Sequence, residues 1–211
     1  MAYREAMSLE TAGGRVDDTL RARADAAVRG ATPGYFALVM ATGIVSVSLQ
    51  TNGWDAASVV LLGIAAIAYV TLVAVNVVRA IHRAAMAADF ADPARAFGFF
   101  TFVAATCVLG SRLSTEGFHD LALVLLLVAA IAWILLGYTV PWTAVLGRSG
   151  QTALGTANGT WFIWAVASQS IAVLAATLQV ELDTGRDAMA LLAVFSWSVG
   201  TFLYCAVGVF V

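Results

Sequence analysis

Six long apolar stretches with no ionisable group at their centres constrain this sequence more than anything else in it. They run from about Gly34 to Gln50, Ala56 to Val78, Phe97 to Leu113, Leu121 to Val140, Trp161 to Val180 and Ala188 to Val211. A helix of about 18 or more apolar residues crosses a hydrocarbon core of about 30 Å, whereas a run of about 10–14 is more at home inside a soluble protein. The expected fold class is therefore an all-α polytopic membrane protein with about six transmembrane helices arranged as hairpins. Composition agrees. The 211 residues are 61% hydrophobic and 11% charged, with a mean hydropathy of +0.89, against about 45–50% and 25% in soluble domains.

Charge settles what the chain does not bind and how it sits. The net charge of -2 and the scattered basic residues exclude a nucleic-acid partner. Every basic side chain other than histidine is an arginine. Arg4, Arg15, Arg21, Arg23, Arg29, Arg79, Arg83, Arg95 and Arg148 fall on one side of the six spans, and Arg112 and Arg186 on the other. By the positive-inside rule the N-terminus is cytoplasmic and the protein is a multi-pass protein of the plasma membrane. Residues 1–32 mix acids and arginines without the apolar core of a signal peptide, so they read as a cytoplasmic tail, with residues 33–211 as the transmembrane domain. Trp54, Trp142 and Trp161 lie near span ends, as interfacial anchors do.

No span carries a carboxylate, lysine or histidine at its centre, which disfavours a proton relay. HExxH and GxSxG are absent, and His82 and His119 lie in connections, so the chain does not read as an enzyme. Cys107 and Cys205 sit in apolar runs without metal-ligand spacing, and no cofactor or metal is expected. Asn158 precedes the fifth span as a helix N-cap.

Polar function then rests on neutral groups, and their helical phase matters. On the fifth span Trp161, Ala165, Ser168, Gln169, Ala172, Ala175, Ala176 and Gln179 share about 120° of arc, with Ser170 pointing away. An unpaired amide is costly in lipid, so Gln169 faces either a neighbouring helix or a water-filled path. The first span groups Tyr35, Val39, Thr42, Gly43, Ser46 and Gln50, and the third groups Phe99, Phe102, Val103, Thr106, Cys107 and Gly110. Arg112 falls at the outer end of the third span on another face, where it reads as an interfacial anchor. The second and fourth spans are apolar almost all round. Odd helices are thus expected inside and even helices outside.

The stretches PGYFALVMATGIVSVS, FGFFTFVAATCVLGSRL and NGTWFIWAVASQSIAVLAA, in this order, resemble the tellurite-resistance and C4-dicarboxylate transporter family, related to the plant slow-type anion channels. The resemblance covers about residues 33–211. It implies a ten-helix channel or transporter of five hairpins, with odd helices lining a pore for chloride, nitrate, sulfite, tellurite or dicarboxylate anions. It also implies trimers as the homo-oligomer. The transport pathway it assigns here comprises Thr42, Gly43, Ser46, Phe99, Thr106, Gly110, Ser168 and Gln169. The family's gating phenylalanine belongs to a ninth helix with no counterpart among these spans. Six spans against ten, with the last run stopping at Val211 without a polar flank, read as a domain incomplete relative to the family. The competing expectation is an accessory structural subunit without transport activity of its own.

Overall fold

A computed structural model of the protein describes residues 30–81, 83–146, 158–182 and 184–211. The N-terminal tail, His82 and most of the connection before the fifth span, including Arg148, lie outside the described residues. Among the described residues the secondary structure is helical, with no strand. Six helices are long and apolar enough to cross a membrane, as the hydropathy pattern predicts. They are α1 (Ala37–Thr51), α2 (Asp55–Ile81), α3 (Phe100–Thr115), α4 (His119–Leu146), α5 (Phe162–Glu181) and α6 (Arg186–Phe210). Two short helices, Arg83–Ala91 and Pro93–Ala96, link α2 to α3.

The odd helices share one way in. Each is entered through a 3-10 turn, Pro33–Phe36, Phe97–Phe99 or Gly159–Trp161. Thr32 Oγ1 caps the first by accepting from Gly34 N at 3.1 Å, and Asn158 Oδ1 caps the last by accepting from Thr160 N at 2.9 Å, the role expected of it. At the opposite end each helix pair turns through a left-handed glycine, Gly53, Gly117 or Gly185. An L side chain would strain all three turns.

One expected boundary moves. The pattern ends the fourth span at Val140, before Pro141, but α4 continues through that proline to Leu146. The lost N–H leaves one carbonyl a turn earlier without its usual donor, which a helix inside a bilayer assembly tolerates where neighbours or water compensate.

The layers follow from packing. The hairpin partners α1–α2, α3–α4 and α5–α6 lie side by side, and the odd helices also touch in the order α1–α3–α5. The central helix is α3: 72% of its apolar window is buried, against 11% for α2 and 17% for α4. Ile67, Val70, Ile134 and Phe202 on the even helices remain largely exposed. In water such a surface would drive association, whereas acyl chains solvate it. The close approach of the odd helices rests on two glycines. A Cβ on Gly43 would lie 2.6 Å from Val108 Cγ1 across the α1–α3 contact, and one on Gly110 would lie 2.8 Å from Leu174 Cδ2 across the α3–α5 contact. Trp54 and Trp142 are exposed at span ends, as interfacial anchors should be, while Trp161 instead stacks on Phe97 with ring centroids 4.9 Å apart.

Candidate functional site

The eight residues assigned to a pathway do not form one surface. Gly43 and Gly110 sit in the two odd-helix contacts just described. Thr42 Oγ1 donates back to Leu38 O at 2.8 Å. Thr106 is fully buried and pairs with Tyr69 of α2, its Oγ1 lying 2.9 Å from the phenol oxygen. Ser168 is also fully buried and accepts from Trp133 Nε1 of α4 at 2.9 Å. Phe99 stacks on Phe90 at 4.6 Å, beside a groove between α2 and α4. Small residues therefore mark where neighbouring helices come closest. That is why Ala165, Ser168, Ala172 and Ala175 of α5 are all buried.

Ser46 belongs to a network that sequence reasoning missed. Arg112, expected as an interfacial anchor, is 1% exposed. Ser46 Oγ donates to Ser58 O at 2.8 Å, and Ser58 Oγ donates to Ser46 O at 2.7 Å, tying α1 to α2. With both hydroxyl protons placed, the oxygens accept from Arg112: Nε lies 3.1 Å from Ser46 Oγ, and Nη2 lies 2.9 Å from Ser58 Oγ. Arg112 Nη1 donates to Thr115 Oγ1 at 3.2 Å and forms an ion pair with Glu116. Thr115 Oγ1 donates to Arg112 O at 2.7 Å, and Gln50 completes the arrangement by donating from Nε2 to Glu116 Oε1 at 3.4 Å. All three guanidinium nitrogens have protein partners, so the group binds three helices together. The available signals were the Arg112–Glu116 spacing of four on one helix and the two serines flanking a tight turn.

The surface shared by the odd helices is a groove of about 470 Å³ bounded by Ile44 of α1, Val108 and Ser111 of α3, Val166, Gln169, Ser170 and Val173 of α5, and Thr201 and Tyr204 of α6. Gln169 is the one residue of the assigned eight that borders it. Its Nε2 donates to Trp197 O at 3.2 Å and to Thr201 Oγ1 at 3.3 Å. Since a carbonyl can only accept, the amide NH₂ is directed at α6. Gly200 makes room for it, because a Cβ there would meet Nε2 at 2.8 Å. The expected Gln169→Leu effect is a loss of about 0.6–1.7 kcal/mol, the range for interhelical hydrogen bonds in bilayers. It would be read as a lower unfolding midpoint in detergent, and an unchanged midpoint would remove the amide from the α5–α6 contact.

The groove hydroxyls fall into two classes. Ser170 donates to Val166 O and Thr201 to Trp197 O, both at 2.9 Å, so their protons are engaged by their own helices. Ser111 and Tyr204 border the groove and make no side-chain hydrogen bond among the described residues. Ser170, which helical projection set apart from the polar arc, thus lies on the groove beside Ala165 and Gln169 of that arc. Among the described residues no charged side chain borders the groove, and there is no cluster of potential metal ligands.

No curated protein and no solved structure matches the chain. The family model described as voltage-dependent anion channel matches residues 30–211, which include all six membrane-length helices and every residue of the groove. This multi-pass membrane protein therefore belongs to the voltage-dependent anion channel family.

Proposed function

We propose that the protein passes small anions across the plasma membrane along the groove on the α1–α3–α5 face, with its N-terminus in the cytoplasm. The observation that carries this reading is a mostly apolar groove bordered by all three odd helices, whose polar walls are the neutral groups Ser111, Gln169, Ser170, Thr201 and Tyr204, with Ser111 and Tyr204 not committed to a protein partner among the described residues. Neutral donors suit permeation. They replace part of an anion's hydration without holding it too tightly to leave, which a free arginine would do. Arg112 is excluded as a direct ligand because Ser46, Ser58, Thr115 and Glu116 engage its nitrogens. The absence of a charged wall favours chloride or nitrate over a C4-dicarboxylate, sulfite or tellurite, whose extra charge or size would need stronger compensation. Ser46, Thr106, Ser168 and the two glycines act on the pathway by setting the spacing and rotation of its walls.

Chloride and nitrate efflux from liposomes carrying the purified chain tests this. Removing either donor, as Ser111→Ala or Tyr204→Phe, is expected to slow efflux about two- to tenfold, the equivalent of one net hydrogen bond. Wild-type efflux no faster than that of empty liposomes would defeat the proposal for the chain alone. The alternative, an accessory subunit, has its own support: three odd helices in a row leave one side of the groove open. Efflux appearing only with a partner chain would select it.

A further inference from the structure

A second groove, of about 380 Å³, opens on the lipid-facing side of the molecule between α2 and α4. Val73, Asn76, Val77 and Ala80 form one wall, Ala132, Leu135 and Leu136 the other, and Phe99 and Phe102 lie behind. Met86 and Phe90 of the helix Arg83–Ala91 border the same groove. From Val73 to Ala80 it follows α2 for roughly 10 Å. A helix about 10–12 Å across needs more than this volume for each turn, so the groove suits an unbranched chain.

Its α2 end carries charge. Arg79, which lies between the wall residues Asn76 and Ala80, is 1% exposed, and Asp89, next to Phe90, is 2% exposed. One Asp89 oxygen pairs with Arg79 Nη2, and the other lies 2.8 Å from Arg95 Nε in an ion pair without hydrogen-bond geometry. Two arginines thus share one carboxylate. Among the described residues the donors Arg79 Nε and Nη1 and the acceptor Asn76 Oδ1 are buried without partners, and buried groups of this kind ordinarily find one. Arg95 is 41% exposed while Arg79 and Asp89 are buried, so Arg95 is the cation of the cluster that a ligand reaches directly. The segment 79–96 as a whole has three arginines and two aspartates.

We propose that this groove binds one anionic phospholipid, with an acyl chain between α2 and α4 and the phosphate at Arg95, with the buried Arg79 adding its positive charge from behind. The position fits a lipid, because the groove lies among helix faces that acyl chains solvate, and Arg79 occupies the last turn of α2, where headgroups begin. Phe90 and Phe99 link the site to the start of α3, since their stacked rings join the connecting helix to the turn that enters it. A bound lipid would therefore steady the central helix.

Native mass spectrometry of the full chain, with phosphatidylglycerol and phosphatidylcholine of identical acyl chains as probes, tests the proposal without reference to anion flux. One phosphatidylglycerol per chain should persist under activation that strips phosphatidylcholine. Arg95→Gln, which leaves Asp89 paired with Arg79, should reduce that preference about fivefold, the contribution of one interfacial arginine. Ala132→Trp fills the groove and should abolish retention of phosphatidylglycerol at an unaltered unfolding midpoint. Equal retention of the two lipids by the unmodified chain would overturn the proposal, as would a preference that Arg95→Gln leaves intact.

Discussion

Glu116→Leu is expected to destabilise the protein more than Arg112→Leu, although the two side chains form one ion pair. The reason is the difference in burial: Arg112 is 1% exposed and Glu116 is 34% exposed. Removing the carboxylate leaves a buried guanidinium held only by neutral hydroxyls, a situation that costs about 3–5 kcal/mol. Removing the arginine leaves a carboxylate that water reaches, together with Ser46 and Ser58, whose protons already go to each other's backbone carbonyls. The remaining cost is the lost hydrogen bonds and imperfect filling, about 1–3 kcal/mol. In a chain of this size each kcal/mol lowers the unfolding midpoint by about 2–4 °C. Tryptophan fluorescence during heating in detergent gives the order directly. The double variant should recover part of the Glu116→Leu loss, because it removes the uncompensated charge. If Arg112→Leu proves the more damaging single change, the network is held by shape and not by charge.

The same network shows where sequence reading stops. Span positions were readable because a long apolar run in lipid has few structural options, and the ends found differ from those expected by only a few residues apart from α4. The inner placement of α3 and α5 was readable too, since Gly110, Ser168 and their neighbours permit an approach that leucine and valine forbid, whereas α1, with 22% of its apolar window buried, is no more enclosed than α6. Rotation about each helix axis was not. A small or polar arc can face water or a neighbouring helix, and projection alone does not distinguish them. In α5 it divides: Ser168 pairs with Trp133 of α4, while Ala165 and Gln169 border the groove beside Val166, Ser170 and Val173. Ser111 was missed for the same reason. What separates it from the other hydroxyls is its unengaged proton, a property of its surroundings and not of its spacing. Arg112 misled because an arginine near a span end usually reaches the interface, while here two serines and Glu116 give it a buried set of partners.

Gly110→Val should displace α3 from α5 and cost about 1–3 kcal/mol through overpacking. The added Cβ would lie 2.8 Å from Leu174 Cδ2, 3.3 Å from its Cδ1 and 3.5 Å from Leu125 Cβ, and valine adds two methyl groups beyond that. Leu174 is fully buried, so its methyl groups have nowhere open to turn. Nor can α3 simply retreat toward α1, because on that side Val108 already lies against Gly43. Leu174→Ala alone should cost about 2–5 kcal/mol by leaving a cavity. Combined with Gly110→Val it supplies the missing space, and the pair should be more stable than the sum of the single losses by about 1–3 kcal/mol. Strict additivity would mean that the two side chains do not compete for one volume. The groove gives the experiment a second readout: Val108 and Ser111 belong to α3, while Val166 and Ser170 belong to α5. Displacing one helix against the other changes the width of the proposed path, so anion efflux should fall in Gly110→Val and return in the double variant along with stability.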